Sequence, residues 1–217
     1  MENLWKRVED YLNNQCIKSD LLMESILQSN KEAGLPSIDV SPCQGKFLYL
    51  LVKMIQAKYF LDIGTLGGYS TVWMARALPE DGYLFTLESN ETHAKVARKN
   101  IFQAGFEDQV EVIVGKAIDA LPTLNHTFDL AFFDADKENN PKYLEWALKL
   151  SKQGTVIVAD NVVRDGKILD SESDDPRIHG LRTFFDMIAK EERIEATFMQ
   201  TVGEKGYDGF LIGRIKS

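Results

Sequence analysis

The chain contains 217 residues, of which 44% are hydrophobic and 27% are charged, and its formal net charge is −8 at pH 7. This length and composition indicate one globular domain with a sizeable core. The negative charge argues against a general nucleic-acid-binding surface. The first fourteen residues have mixed charge and no continuous apolar segment, so we expect neither a signal peptide nor a membrane span. Cys16 and Cys43 are too few for a disulfide framework or a Cys-rich metal site, and a reducing cytoplasm is the predicted location.

Residues 1–40 are predicted to form a helical extension. Apolar residues recur at helical spacing in two stretches: Leu4, Trp5, Val8, Tyr11 and Leu12, then Leu22, Ile26 and Leu27. We interpret the aromatic residues here, Trp5 included, as core residues, although this helical layer could also cover a partner subunit. A third helix begins at Ser41-Pro42, where Gln44 is placed to complete a capping box. The core of the single predicted domain therefore spans residues 41–217.

From residue 58 the pattern changes to alternating strands and helices. Strands are predicted at 59–63, 83–87, 110–114, 128–133 and 155–159, with helices at 71–78, 91–104, 118–121 and 141–150. Asn140 is the predicted N-cap of the last of these helices, with Pro141 at its first position. Such alternation predicts an α/β fold, a doubly wound and mostly parallel sheet with helices on both faces.

The last quarter of the chain contains an acidic loop, a helix and two strands. The loop, residues 164–177, includes the sequence DSESDDP, and we predict that it is a mobile lid over a binding site. A helix follows at about 181–190. Strands at 196–202 and 209–215 are joined by a short link, which predicts an antiparallel hairpin at the edge of the sheet.

A glycine cluster follows the first strand, in the sequence FLDIGTLGGYS. The spacing is Gly64-x-x-Gly67-Gly68, which differs from the G-x-G-x-x-G of dinucleotide-binding folds. Glycines allow the backbone to approach a ligand closely, and a helical pattern begins near Ser70. The cluster is either a tight turn between a strand and a helix or a ligand-binding loop.

Polar residues repeatedly end the predicted parallel strands. They are Asp62, Glu88, Gly115, Asp134 with Asp136, and Asp160 with Asn161. In open α/β sheets, ligands bind beyond the carboxyl ends of the strands, so the repetition predicts one site at this edge. Glu88 follows the glycine cluster by about two dozen residues, where an acid can bind both ribose hydroxyls of a nucleoside. The alternative is an exposed acid at the end of a strand.

Asp134, Asp160 and Asn161 offer only oxygen ligands. Such ligands suit Mg²⁺, Mn²⁺ or Ca²⁺, although clustered acids also serve as helix caps. Lys137 follows Asp134 by three residues, and a cation held there would favour its neutral amine, a general base. Without a cation Lys137 would be a surface lysine. The three histidines, His93, His126 and His179, lack metal-ligand spacing, so we interpret them as surface or structural residues.

Five segments together resemble the cation-dependent class I O-methyltransferases, the family of caffeoyl-CoA and catechol O-methyltransferases. They are DIGTLGGYS, Glu88, VGKA after the third strand, DLAFFDADK and VIVADNVVRDG. The resemblance extends from Ser41 to the C-terminus, and NPKYLEWALKLS and QTVGEKGYDGF are most similar to the bacterial branch. It implies a Rossmann-like fold, S-adenosylmethionine (SAM), a divalent cation (Mg²⁺, Mn²⁺ or Ca²⁺), a small phenolic substrate and a homodimer.

The resemblance also implies roles for individual residues. Asp134, Asp160 and Asn161 would hold the metal, Lys137 would be the base, and Asp134 would lie close to the methyl centre. With Gly68 of the glycine cluster and Gly115 after the third strand included, the predicted cofactor contacts are Val40, Asp62, Gly64, Thr65, Gly68, Ser70, Glu88, Gly115, Ala117, Asp134 and Asp136. Three departures stand out: Asn140 replaces a tyrosine of the plant enzymes, Ala117 replaces a serine of catechol O-methyltransferase, and residues 163–177 match neither.

Other functions remain open at this point. One is methylation of a hydroxylated uridine in tRNA by a member of the same family. Another is a nicotinamide-dependent oxidoreductase, for which Tyr49-x-x-x-Lys53 is the only supporting pattern and the glycine spacing is unfavourable. A non-catalytic cofactor-binding module is a third, but the predicted metal ligands and Lys137 argue against it.

Overall fold

A single seven-stranded sheet is the centre of the structure, a computed structural model that describes residues 2–18 and 20–216. The strand order is β3-β2-β1-β4-β5-β7-β6. The strands are β1 (Tyr59–Ile63), β2 (Tyr83–Glu88), β3 (Val110–Val114), β4 (Phe128–Phe133), β5 (Ser151–Ala159), β6 (Ile194–Gly203) and β7 (Gly206–Ile215). The first five pair in parallel, whereas β7 is antiparallel to both β5 and β6. The predicted α/β class, with its antiparallel edge, is confirmed.

Helices cover both faces of this sheet. They are α1 (Glu2–Cys16), α2 (Leu21–Glu32), α3 (Pro42–Ile55), α4 (Tyr69–Ala75), α5 (Glu91–Gln103), α6 (Ala117–Ala120), α7 (Asn140–Lys149) and α8 (Pro176–Lys190). Residues of α2 to α5 pack on one face and residues of α6 to α8 on the other, so two apolar layers enclose the sheet. Within the described residues, no helix is both long and apolar enough to cross a bilayer.

The connections reverse direction beside β1, which lies between β2 and β4. The chain winds towards β3 after β1 and crosses to β4 afterwards, so a crevice opens where β1 and β4 end. Residues 60–63 of β1 are buried because both faces of the strand are covered. Asp62 belongs to this buried strand, and Gly64 begins the turn into the crevice.

Helix α1 differs from the expected packing. Trp5 is half-buried, but Tyr11 has 64% of its surface exposed, and Leu4, Val8 and Leu12 are also exposed. The prediction that the aromatic residues of the extension are core residues is therefore wrong for Tyr11. The helix exists as the periodicity predicts, yet most of its apolar stripe faces away from the core.

Helices α7 and α8 begin at residues other than those predicted. Helix α8 begins at Pro176, five residues earlier than predicted, so residues 176 and 177 are helical and not part of a loop. The cause is local, because Asp175 accepts a hydrogen bond from Arg177 N at 2.9 Å and Pro176 occupies the first turn. Asn140 is inside α7 and fully buried, and Asn139 precedes the helix without a side-chain cap.

The other boundaries move by a few residues. Helix α4 runs two to three residues ahead of the predicted 71–78, and β5 begins at Ser151 in place of residue 155. The predicted hairpin is confirmed, but its strands are longer, and only Glu204 and Lys205 separate them. This tight turn brings the tip of the hairpin over the carboxyl ends of the parallel strands.

Candidate active site

A cavity of about 1010 Å³ lies at the carboxyl ends of the parallel strands. Such a volume is at the upper end for small-molecule sites. Most predicted site residues line it: Val40, Gly64, Thr65, Ser70, Glu88, Gly115, Ala117, Asp134, Asp136, Lys137 and Asn161. Asp62, Gly68 and Asp160 are not part of its lining. The structure thus brings together residues from the ends of five strands, which are up to about a hundred positions apart.

The glycine loop passes directly over the end of β4. Gly64 has a φ of +112°, and a Cβ atom there would lie 2.7 Å from the backbone carbonyl of Asp134. Both the conformation and the close approach therefore require glycine. A cradle of this kind allows a ligand to contact the backbone between β1 and β4, which fits the cofactor that the resemblance implies.

Glu88 fixes the other side of this loop. Its Oε2 accepts a hydrogen bond from Leu66 N and its Oε1 accepts one from Asn90 N, both at 2.8 Å. The side chain is 91% buried, since α5 begins beside it, yet it lines the cavity. Each carboxylate oxygen keeps a second lone pair for a ligand. His93, which we interpreted from the sequence as a surface or structural residue, also lines the cavity, with Nδ1 3.7 Å from Glu88 Oε1.

Asp62 and Gly68 support the loop from behind. Asp62 is fully buried, and its Oδ2 accepts hydrogen bonds from the hydroxyls of Thr71 (2.7 Å) and Thr86 (2.8 Å). Burial raises the pKa of Asp62 to about 7. Gly68 has a φ of +84° at the start of α4 and packs against Ala97. The structure places both behind the cavity wall and not on its surface.

Two carboxylates, half-buried Asp134 and buried Asp160, meet a buried lysine where β4 and β5 end. Lys137 Nζ lies 3.0 Å from Asp134 Oδ1, and Lys137 is 4% exposed. Burial raises the pKa of Asp134, while burial and the charge of Asp134 raise the pKa of Asp160 to about 7. Asn161 has a φ of +52°, a left-handed conformation that costs free energy in a non-glycine residue. Such backbone strain is often found at functional sites.

The donor set at this centre is chemically suited to a hard dication. Asp134, Asp160 and Asn161 offer two carboxylates and one amide oxygen. No group of three His, Cys, Asp or Glu side chains within residues 2–18 and 20–216 is arranged to hold a metal ion. An ion bound here would therefore need further oxygen ligands from a substrate or from water. The two neighbouring carboxylates repel each other, and a dication would offset that repulsion.

The hairpin supplies cavity residues that sequence patterns did not indicate. Lys205 lines the cavity from the turn, and its charge opposes the rise in the pKa of both Asp39 and Asp134. Asp208 Oδ1 accepts hydrogen bonds from Val163 N (3.0 Å) and Arg164 N (2.9 Å). It thereby fixes the segment that follows Asn161. These residues lie within QTVGEKGYDGF, but no local pattern predicts that the hairpin tip reaches the cavity.

Tyr143 of α7 is a further contact that sequence patterns missed. Its hydroxyl donates a hydrogen bond to Asp136, and burial together with Asp136 raises the pKa of Tyr143 above its ordinary value. The tyrosine side chain is almost fully buried and borders the cavity. It therefore holds the Asp136 carboxylate in one orientation.

Comparison with known proteins decides the family. The O-methyltransferase family model matches residues 13–213. A catechol O-methyltransferase from Niastella koreensis is 48% identical over 217 residues, with 98% of both chains covered. The chain belongs to the class I O-methyltransferase family. An O-methyltransferase from Bacillus cereus, solved in complex with SAH, is 51% identical with a TM-score of 0.98 and full coverage of both chains. TomG from Streptomyces achromogenes, solved with SAM, is 42% identical with a TM-score of 0.96, covering 100% of this chain and 99% of its own.

These relatives establish the reaction type. The protein is a SAM-dependent O-methyltransferase, as the resemblance implies. The pattern Tyr49-x-x-x-Lys53 therefore has no oxidoreductase role. In the structure it lies on α3, where Tyr49 packs edge-on against Trp73 at 6.4 Å between ring centroids.

Proposed function

We propose that the protein transfers the methyl group of SAM to one hydroxyl of a catechol or another small aromatic molecule with adjacent hydroxyls, and that it requires a divalent cation. The observation that carries the proposal is the pair formed by half-buried Asp134 and buried Asp160, beside Asn161 and the buried Lys137. An all-oxygen donor set next to a buried amine suits activation of a phenol. The relative in Niastella koreensis is itself named a catechol O-methyltransferase.

The proposed cofactor contacts surround the glycine loop. SAM supplies an electrophilic methyl group on a sulfonium centre. Glu88 is held by Leu66 N and Asn90 N so that its carboxylate can accept hydrogen bonds from ribose hydroxyls. Gly64 allows a close backbone approach, and Val40, Ser70, Ala117 and Asp136 complete the proposed binding surface.

The proposed proton transfer depends on Lys137. A phenol has a pKa of about 10 and is a poor nucleophile at neutral pH. A divalent cation at Asp134, Asp160 and Asn161 would favour the ionised phenol by electrostatic stabilisation. Lys137 Nζ lies 3.0 Å from Asp134 Oδ1, and in its neutral amine form it would take the phenol's proton and become an ammonium group. Most of the rate gain then comes from orientation and electrostatics, because the protein groups form no covalent bond with the substrate.

Turnover with labelled SAM tests the proposal directly. With a panel of catechols and hydroxyflavonoids, EDTA is expected to abolish methyl transfer, and Mg²⁺ or Mn²⁺ is expected to restore it. Asp160→Ala is expected to remove most of this activity while SAH still binds, because the proposed nucleoside contacts lie on other strands. Full activity on a catechol in excess EDTA, with metal analysis confirming a metal-free protein, would overturn the cation-dependent mechanism.

The same assay includes total tRNA as an acceptor. A family member acting on a hydroxylated uridine would label tRNA and leave the catechols unlabelled. The net charge of −8 disfavours this alternative, because binding to the phosphate backbone depends on cationic groups.

We also propose a single catalytic domain, a cytoplasmic location and a homodimer. One sheet joins all the strands of the described chain, which supports one domain. Cys16 and Cys43 are free and exposed, which suits a reducing compartment. The exposed apolar stripe of α1 supports the dimer.

A further inference from the structure

A chain of hydrogen bonds through two buried asparagines connects the helical extension to the glycine loop. Asn100 of α5 donates from Nδ2 to Gly67 O at 2.8 Å and to Asn30 Oδ1 at 2.9 Å. Asn30 of α2 in turn donates from Nδ2 to Asp39 Oδ1 at 2.8 Å. Asn30 is 2% exposed and Asn100 is fully buried. Three separate parts of the chain therefore meet at this pair of amides.

The packing at Gly67 makes this contact specific. A Cβ atom at position 67 would lie 1.9 Å from Asn30 Oδ1, so only glycine leaves space for the amide. The preceding residue, Leu66, donates its N–H to Glu88 from the opposite side. The loop is therefore held between β2 and the asparagine pair. Asn100 Oδ1 has no hydrogen-bond partner, a cost that the two bonds from its Nδ2 offset.

Asp39, the other end of this chain, lines the cavity. Val40, Gly64 and Asp134 line the same cavity. Asn30 binds one of its two carboxylate oxygens, so the carboxylate has one orientation. SAM carries a positive sulfonium and an ammonium group, and an oriented anion on this wall complements that charge.

We propose that Asn30 is a positioning residue for SAM. Asn30 acts through Asn100 on the glycine loop and through Asp39 on the cavity wall. Asn30 itself does not line the cavity. The helical extension is thereby part of the cofactor site and not only a cover for the core. The inference rests on the SAM dependence of the family and not on the proposed metal or substrate.

Exchange of the donor and the acceptor tests the link between Asn30 and Asp39. Asn30→Asp keeps the oxygen that accepts from Asn100 but places a carboxylate against Asp39. We expect it to weaken SAH binding by about tenfold to a hundredfold, the usual effect of losing a hydrogen bond to a charged group. In the double variant Asn30→Asp/Asp39→Asn, the amide at position 39 donates to the carboxylate at position 30. Its SAH affinity is expected to return to that of Asp39→Asn alone.

Calorimetry with SAH in EDTA, without substrate, measures the SAH affinity of each variant. This measurement stays valid even if the protein proves cation-independent or acts on another acceptor. Met23→Ala is the matched control, because Met23 is a buried residue of the same helix outside the hydrogen-bond chain. It is expected to lower the melting temperature while SAH affinity stays within about threefold of wild type. In steady-state assays Asn30→Asp should raise KM for SAM and leave kcat at saturating SAM within about twofold.

Two results would overturn the inference. One is a double variant that binds SAH clearly more weakly than Asp39→Asn alone. The other is an equal loss of affinity in Met23→Ala, which would assign the effect to general loosening of α2. Should Asn30→Asp fail to fold, Asn30→Ala takes its place. A loss of SAH affinity in Asn30→Ala no larger than the loss in Met23→Ala would then overturn the inference.

Discussion

Lys137 is a buried lysine whose ammonium group has one close carboxylate, Asp134 at 3.0 Å. A buried lysine is rare unless it is paired, and here the pairing carboxylate is also a proposed metal ligand. A dication at Asp134 and Asp160, with the substrate hydroxyl bound to it, would also lie beside Lys137. The position of this lysine thus suits a proton acceptor.

Lys137→Ala is expected to lower kcat by roughly 10²–10⁴-fold, the usual contribution of a general base. Lys142→Ala, which removes an exposed lysine of α7, is the control and should leave kcat within about twofold. A Lys137→Ala enzyme with wild-type kcat would exclude this lysine as the base.

Asp62 makes the stability of the metal-free protein depend on pH. Its pKa is raised by burial from 3.8 to about 7, so the folded state binds this proton more tightly than the unfolded state. The proton on Asp62 makes its full contribution to the free energy of unfolding below about pH 4. This contribution is lost as pH rises through 7, a difference of up to about 4 kcal/mol. Denaturant unfolding of wild type and Asp62→Asn between pH 4 and 8 measures it. The free energy of unfolding should decrease with pH more steeply in wild type, and parallel curves would contradict the assignment.

At the scale of elements, the segment between β5 and α8 is the best candidate for substrate selection. Its first half is anchored, because Asp208 binds the N–H groups of Val163 and Arg164 and because Asp165 N donates to Tyr207 O at 3.0 Å. A single turn of 3₁₀ helix follows at 167–169, and α8 begins at Pro176. The part free to vary in length and sequence is therefore about 170–174, next to the cavity entrance.

Exchange of residues 164–174 for those of TomG is expected to change the preference among catechol acceptors, since long loops over a site often control access. Affinity for SAH should stay within about threefold, because the cofactor loop and Glu88 are untouched. The cap formed by Asp175 remains, so α8 is preserved. Exchange of residues 105–109, a connection at the opposite edge of the sheet, is the control. An unchanged acceptor preference in the 164–174 chimaera would remove the substrate-selecting role.

At the scale of the whole molecule, some features follow from local patterns and others do not. Asp134 and Asp160 could be predicted to meet because the carboxyl ends of parallel strands converge at one edge. Asn30 could not be linked to Asn100, since 70 residues separate them and neither belongs to a recognisable motif. The hairpin tip is held at Glu204 N by Glu9, 195 residues away. Such contacts depend on how the extension folds back over the sheet, which periodicity does not encode.

Exposed apolar residues of the helical extension lie beside exposed apolar residues of the edge strand β6. Leu4, Val8, Tyr11 and Leu12 of α1 are exposed, and so are Phe198, Met199 and Val202 of the edge strand β6. Glu204 N donates to Glu9 Oε2 at 2.6 Å, so α1 and the hairpin form one continuous surface. An exposed apolar patch beside an unpaired strand edge is a common site of self-association.

Light scattering at micromolar concentration is expected to give about twice the chain mass of 24.6 kDa for the wild type. Tyr11→Glu places a charge in the exposed stripe of α1 and should shift the mass towards the monomer, because an unpaired charge in an apolar interface is costly. Gln15→Glu makes the same charge change at an exposed polar position of the same helix and should remain dimeric. A monomeric mass for the wild type would contradict the homodimer. Equal dissociation of both variants would show that net charge, and not the apolar stripe of α1, controls assembly.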